Sequence, residues 1–354
     1  MNLAFLTSWN AVCGVAEFMR NLVSEFEKSS HQITIFSNFF AGEYEQVSQQ
    51  FSVCIGEEYP TFVTGFDIKE NHWNFNLTGV CEGLGKNNCR VLMINYQDFL
   101  LPNKQAINSL LVFCKEHNIK TFILFHDSCI SPDIDLSLAD HLVFPPSVIP
   151  CTTLSKAICI DQGIPEFNQN LFCDIDALRP FDPWKIGCFG MGRNRIKELF
   201  SVIEEINGKA LLDAPLKLVL SGKSARDYQE SEWLDLYPDY CDAATLALRL
   251  HQCHACIIWY PDIQQKSTSS AFRFAIGSKI PIIANRSNWV RDQLGNGAWI
   301  EVAQDDPELF KKAIIKTFQA ETYPLTRERI TILQQKLIDH KGWSKIAKQY
   351  ETYF

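Results

Sequence analysis

The chain has 354 residues, 33 Lys+Arg against 41 Asp+Glu, and a formal net charge of −8. Hydrophobic residues make up 46% and charged residues 21%, ordinary globular usage that excludes a disordered chain. The acidic balance argues against a protein whose main work is neutralising nucleic-acid phosphates, and no apolar run reaches the roughly 18–20 residues of a membrane span.

At roughly 100–200 residues per domain, the length predicts two domains. The opening MNLAFLTSWN lacks the basic flank and small-residue cleavage site of a signal peptide. The 13 cysteines are odd in number and sit mostly in apolar runs, such as Cys188 in KIGCFG and Cys256 in ACIIWY. They read as small buried hydrophobes in a reducing cytoplasm, not as a disulfide framework.

Short apolar runs alternate with amphipathic stretches along the chain. Strands are expected at Leu3–Leu6, Ile33–Phe36, Val91–Ile94, Thr121–Phe125 and Leu142–Phe144, with helices over Val15–Phe26 and Lys104–Glu116. Near-continuous apolar strands suit a parallel sheet covered on both faces. The rhythm restarts with strands at Ile186–Phe189, Leu216–Leu220, Ala255–Trp259 and Pro281–Ala284. Its helices are expected over Arg195–Ile206, Ala243–His251 and Ser270–Ile276. The proline-bearing DIDALRPFDPW separates the two halves. This predicts an α/β fold of two doubly wound lobes, 1–175 and 185–335, joined by a linker at 176–184. Ligands in such folds bind outside the carboxyl ends of the strands, here in a cleft where the two lobes face each other.

The first strand runs through Thr7, Trp9 and Cys13 to Gly14 and a helix. A glycine at a helix start permits close approach of an anion to free N–H groups, although a plain turn would read the same. The first-lobe strand FILF ends in His126, Asp127 and Ser128. A histidine there serves as base or hydrogen-bond partner, or is simply a satisfied strand-end residue. A Ser-His-Asp relay is excluded, because adjacent residues cannot point at one another in the required order.

Two motifs fail on spacing. Ser221-Gly222-Lys223-Ser224 resembles the end of a P-loop, but Lys217 occupies the place of its first glycine. Gly190-Met191-Gly192 begins a dinucleotide fingerprint, but Arg195 stands at its third glycine. Gly190, Gly192, Arg193, Arg195 and Lys197 instead gather cations after a strand. That arrangement opposes the helix dipole and suits an anion, with a solvated helix start as the bland alternative.

His251, Cys253, His254 and Cys256 cluster without a zinc spacing and run into a strand, so no metal site is assigned. Thr268 or Ser269 is a natural N-cap for a helix whose first N–H groups form a second anion site. Arg273 on that helix serves substrate or ties the helix to its sheet.

In order and spacing, six segments resemble the family-four glycosyltransferases of GT-B architecture. They are TSWNAVCGVAEFMRNL, NYQD with FHD, IGCFGMGRNRIKEL, YCDAATLALRLHQCHACIIWYP, SSAFRFAIGSKIPIIAN and GWSKIAKQYETY. The resemblance implies a metal-independent, mostly retaining enzyme that moves a hexose from a nucleoside-diphosphate sugar, without a cofactor. It also implies a last helix, 336–354, that packs back on the first lobe. His126, Arg193 and Lys197 would be catalytic. Gly14, Gly192, Ser269, Ser270, Ala271 and Arg273 would bind the donor, with Trp9, Gln97 and Asp98 on the acceptor side.

The family's two glutamates, eight positions apart, are replaced here by Lys266 and Phe274. That departure keeps open a non-catalytic GT-B-like binding partner or scaffold, or a nucleotide-sugar epimerase. The expected location is cytoplasmic. The acceptor, whether a glycan, a lipid-linked molecule or a protein, is not specified. Phe39, Phe40 and the aromatic-rich first lobe suggest a peripheral membrane contact for a lipid-linked acceptor, although buried packing explains scattered aromatics as well.

Overall fold

A computed structural model describes residues 1–7, 9, 14–39, 61–67, 72–73, 77–96, 101, 103–126, 130–146, 155–167, 183–239, 241, 243–260 and 269–354, with backbone alone at 37–39, 61–67, 72–73, 223 and 288–289. The chain folds as two compact units. The first is drawn from Met1–Gly163 and Trp343–Phe354, the second from Ile164–Gln264 and Ser269–Gly342.

The first unit is built on eight strands: β1 (Asn2–Leu6), β2 (Gln32–Phe39), β3 (Thr61–Asp67), β4 (His72–Trp73), β5 (Val91–Tyr96), β6 (Lys120–Phe125), β7 (His141–Phe144) and β8 (Ala157–Cys159). Their order is β4-β3-β2-β1-β5-β6-β7-β8, and all neighbours are parallel except β3 and β4. The order reverses between β1 and β5, which pair Leu3 with Val91 and Leu6 with Ile94.

Alternate residues of each strand feed opposite faces, so one apolar run builds two cores. Ala4, Leu6, Leu92, Ile94, Ile123 and Phe125 form one, together with helices Leu77–Lys86 and Lys104–Glu116. Leu3, Phe5, Val91, Met93, Phe122 and Leu124 form the other. Helix Gly14–Lys28 covers this second face with Phe18, Met19, Leu22, Val23 and Phe26, an apolar stripe at helical spacing. The last helix, Trp343–Glu351, packs on it, with Trp343 edge-on to Phe18 at 5.1 Å and Tyr350 edge-on to Phe26 at 6.4 Å.

The second unit is a fully parallel sheet of β9 (Trp184–Phe189), β10 (Leu216–Ser221), β11 (Leu234–Tyr237), β12 (Ala255–Ile258), β13 (Ile282–Asn285) and β14 (Ile300–Val302). Its order, β11-β10-β9-β12-β13-β14, reverses between β9 and β12. Helices Arg193–Gly208 and Pro307–Thr317 bury one face with Ile186, Leu218 and Ile257. Helices Ser270–Gly277 and Tyr323–Lys341 cover Cys256, Ile258 and Ile282 on the other. Trp184 anchors the base of this sheet, edge-on to His254, Phe318 and Tyr323.

All nine expected strands are present. The strands that sequence reading missed, β3, β4, β8, β11 and β14, lie toward the sheet edges, where short segments such as AIC, LDLY and IEV carry polar or exposed positions. The helix expected from Arg195 starts two residues earlier, at Arg193, with Gly192 as its N-cap. The described cysteines are free thiols. Burial pushes the Cys188 thiol up to about 12, as suits a packed hydrophobe.

Candidate functional site

Each unit brings chemistry-bearing residues to the carboxyl end of its sheet, beside the point where strand order reverses. In the first unit these are Thr7 after β1, Asn95 within β5, and His126 after β6. The Asn95 side chain joins them. Its Nδ2 donates to Thr7 Oγ1 at 2.9 Å and to the Val15 carbonyl at 3.2 Å, and its Oδ1 bonds His126 Nε2. His126 is only 9% exposed, with its ring perpendicular to that of Phe18 and the ring centres 4.9 Å apart. Burial lowers its pKa to about 4, so the ring is neutral at pH 7.

In the second unit, β9 ends in Gly190-Met191-Gly192. Gly190 takes φ +67°, and a Cβ there would lie 3.5 Å from the Ala271 Cβ and 3.7 Å from the Tyr260 hydroxyl. The positive φ is what calls for glycine there, since a Cβ would make only ordinary contacts with Ala271 and Tyr260. Tyr260, two residues beyond β12, staples the two loops together. Its hydroxyl donates to the Gly190 carbonyl at 3.2 Å and lies 3.4 Å from Ser269 Oγ.

Two helices therefore start side by side. Neither Gly192 nor Ser269 caps its helix through a side chain, and neither first turn carries an acidic residue. By contrast, Asn103, Ser287 and Asp306 each cap their helices with a side-chain oxygen. N-termini without a side-chain cap and without an acidic residue in the first turn favour an anion.

The neighbouring cations divide into two kinds. Arg193 is 62% exposed and pairs with Asp227 at 3.2 Å, a surface contact worth little and easily exchanged. Lys197 is exposed one turn further along. Arg195, which sequence spacing groups with them, is held elsewhere. It bonds Glu198 at 2.5 Å and also Asp305, and lies 5.2 Å from the centre of the Trp259 ring. Asp305 in turn accepts from Trp259 Nε1 at 2.7 Å. Arg195 thus fastens the helix to the sheet and is not presented as a ligand.

Ser269 holds the N-cap position, with its hydroxyl beside Tyr260, while Ser270 and Ala271 open the helix. Arg273 is 2% exposed on the same helix. Gly14 starts the first helix of unit one. Trp9 is 6% exposed, lies in the core with Phe18 and Trp343, and carries the Arg20 guanidinium 6.0 Å from its ring centre. Gln97, Asp98, Asp127, Ser128, Lys266, Thr268, Phe40 and most of the 176–184 linker lie outside the described residues.

The Cys/His cluster is spent on packing. His251 Nδ1 bonds the Ser278 carbonyl at 3.0 Å, and His254 Nδ1 accepts from the Lys185 N–H at 2.9 Å. No group of His, Cys, Asp or Glu arranged to hold a metal ion occurs among the described residues. No described helix is long and apolar enough to cross a membrane.

Sequence reasoning missed Asn95, Tyr260 and Asp305. Asn95 carried a signal, as the lone amide in the otherwise apolar β5 run VLMINY. Tyr260 and Asp305 carried none, because their roles depend on which loops the sheet brings together.

No protein-family model matches the chain, and no curated protein matches its sequence. Solved structures do match its fold. HepE of Anabaena in complex with UDP-glucose aligns over 100% of this chain and 99% of its own, with a TM-score of 0.62 at 11% identity. A glycosyltransferase from Rickettsia africae aligns over 99% and 97%, with a TM-score of 0.68 at 11% identity. The pneumococcal O-GlcNAc transferase GtfA, in complex with UDP and GlcNAc, aligns over 100% and 98%, with a TM-score of 0.61 at 10% identity. With two doubly wound units and full-length alignment to such neighbours, the chain has the GT-B fold.

Proposed function

We propose that the protein is a glycosyltransferase that moves a hexose from a nucleoside-diphosphate sugar to a hydroxyl acceptor. The carrying observation is in the second unit. Two helix N-termini without side-chain caps are joined by Tyr260 where the strand order reverses, with Arg193 and Lys197 exposed on the first of them. The GT-B neighbours crystallised with UDP or UDP-sugar support the same reading.

The Gly190–Gly192 turn and the Ser269–Ala271 helix start hold the diphosphate. When the bond from the sugar C1 to the diphosphate breaks, negative charge grows on the departing phosphate. Fixed N–H groups meet that charge without reorganising, and Arg193, exchanging Asp227 for the phosphate, and Lys197 add cations beside them. The acceptor oxygen bonds C1, and its proton passes to the phosphate oxygen released. This needs no resident cofactor, and transfer on one face of the sugar retains its configuration. Gly14, Gly192 and Arg273 complete the donor contacts in this reading. Gln97, Asp98 and the surroundings of Trp9 serve the acceptor, and the chain works in the cytoplasm on donors made there.

The test is thermal unfolding with a panel of nucleoside diphosphates and their sugars. A ligand at about 100 times its Kd adds about 2.7 kcal/mol, which raises Tm by several degrees. We expect a shift with one base, lost in the Arg193→Ala, Lys197→Ala double variant while its ligand-free Tm stays unchanged. A shift retained in that variant refutes the site. No shift with any nucleotide at millimolar concentration refutes the activity.

A further inference from the structure

We propose that Asn95 is a positioning residue that fixes His126 as the tautomer protonated on Nε2, so that the ring presents Nδ1 as an acceptor to a substrate hydroxyl. This deepens the transferase reading and rests on it for the identity of the ligand. The tautomer itself rests on geometry alone.

The Val15 oxygen can only accept, and it lies 3.2 Å from Asn95 Nδ2. A flipped amide would place Oδ1 against that oxygen, so the amide orientation is settled. The second Nδ2 hydrogen goes to Thr7 Oγ1 at 2.9 Å. Asn95 Oδ1 then faces His126 Nε2, and two acceptors cannot bond each other, so Nε2 carries the proton. A neutral ring with Nε2–H has its lone pair on Nδ1.

The ring's described neighbours, Asn95 and the ring of Phe18, are both uncharged, and neither supplies a counter-ion for an imidazolium. His126 follows the last residue of β6, at the carboxyl end of the sheet beside the reversal of strand order. That is where a doubly wound unit meets its ligands. A neutral acceptor there selects a hydroxyl-bearing group and gains nothing from a phosphate, whose oxygens are acceptors too. The first unit therefore addresses the sugar or acceptor alcohol, by orienting it and not by acting as an acid.

The test reads the ring directly and needs no substrate. Protein labelled with 15N-histidine is examined by long-range 1H–15N correlation. The His126 signals among the eight histidines are identified by their loss in His126→Gln. In the parent protein at pH 7 we expect one tautomer, with protonated Nε2 and bare Nδ1. Asn95→Ala is expected to convert it to a mixture of tautomers. Asn95→Asp keeps an acceptor for Nε2–H and so keeps the tautomer; it sets an oxygen against the Val15 carbonyl, which lowers Tm, and its carboxylate shifts the ring's titration upward.

A bare Nε2 or an imidazolium in the parent at pH 7 overturns the proposal, and so does an unchanged tautomer in Asn95→Ala. A purely structural Asn95 would lower Tm and leave the tautomer alone. If Asn95→Ala does not fold, the parent spectrum and Asn95→Asp still decide. With a donor found by the nucleotide panel, Asn95→Ala should lower kcat/KM about tenfold, with Asn95→Asp restoring part of it. A confirmed tautomer without any nucleotide binding would leave the positioning role standing and remove the transferase reading.

Discussion

Arg193 and Arg195 stand two residues apart on one helix, and the structure gives them opposite jobs. Asp305 is the group to perturb. Its carboxylate takes one hydrogen bond from the buried Trp259 indole at 2.7 Å and another from the half-buried Arg195. Asp305→Ala leaves the indole N–H without a partner, which costs about 1–3 kcal/mol for a buried donor. It also removes a charge-assisted bond from Arg195, which keeps Glu198 as a partner and so loses only about 1 kcal/mol. The expected total is about 3 kcal/mol. At roughly 2–4 °C per kcal/mol for a unit of this size, Tm falls by about 6–12 °C.

Asp305→Asn keeps an oxygen for the indole but turns an amide NH2 toward Arg195, so it loses the ion pair alone and should cost about 1 kcal/mol, or about 2–4 °C. The assay is a calorimetric melt of parent, alanine and asparagine variants, with far-UV dichroism to confirm folding. An alanine variant melting within about 2 °C of the parent would refute the reasoning. So would an asparagine variant as unstable as alanine, since that would place the whole effect in the charge.

Three further outcomes follow from packing and linkage. Gly163→Ala would place a Cβ 2.2 Å from Trp343 Cδ2 and 2.5 Å from Cε3, inside a rigid buried indole. It should destabilise the first unit by about 1–3 kcal/mol in urea unfolding. Gly85→Ala, on an exposed turn of helix Leu77–Lys86 with nothing within 4 Å of the new Cβ, should stabilise by about 0.5–1 kcal/mol in the same assay. Hydrogen bonds from Lys209 and then Lys311 hold the Glu205 carboxyl at about 2, down from 4.5. A depressed carboxyl stabilises above its unfolded value and loses that contribution as pH falls from about 4.5 toward 2. Urea midpoints of parent and Glu205→Gln should therefore differ at neutral pH and converge on acidification.

The periodicity of the sequence reveals the central strands because each is buried on both faces, so LAFL, VLMI and FILF read as uninterrupted apolar runs. The same logic hides the edges. β11 alternates Leu with Asp and Tyr, and β14 is three residues with a glutamate at its centre. Such segments become strands only because a neighbour supplies hydrogen bonds, which is information about partners and not about the segment. Helix starts are legible where a proline or capping residue marks them, as Asn103 marks Lys104–Glu116. The start at Arg193 was harder, because an arginine-rich first turn opposes the dipole.

The site divides along the same line. Residues that carry chemistry announce themselves by type: a histidine after a strand, glycines before a helix, cations that a dipole should repel. Residues that position them do not. Asn95 and Tyr260 each work by satisfying partners on separate segments, Val15 and Thr7 with His126 in one case, Gly190 with Ser269 in the other. Each unit therefore solves the same problem in the same way. A parallel sheet delivers several loops to one edge, and a single polar side chain with two or more hydrogen bonds fixes their relative placement. Asn95 is buried, and a buried polar group is tolerated only when its bonds are made. A lone amide near the carboxyl end of a central apolar strand, as Asn95 is in VLMINY, is thus the sequence feature to look for. By this reasoning it marks the loops that a doubly wound unit holds in register for its ligand.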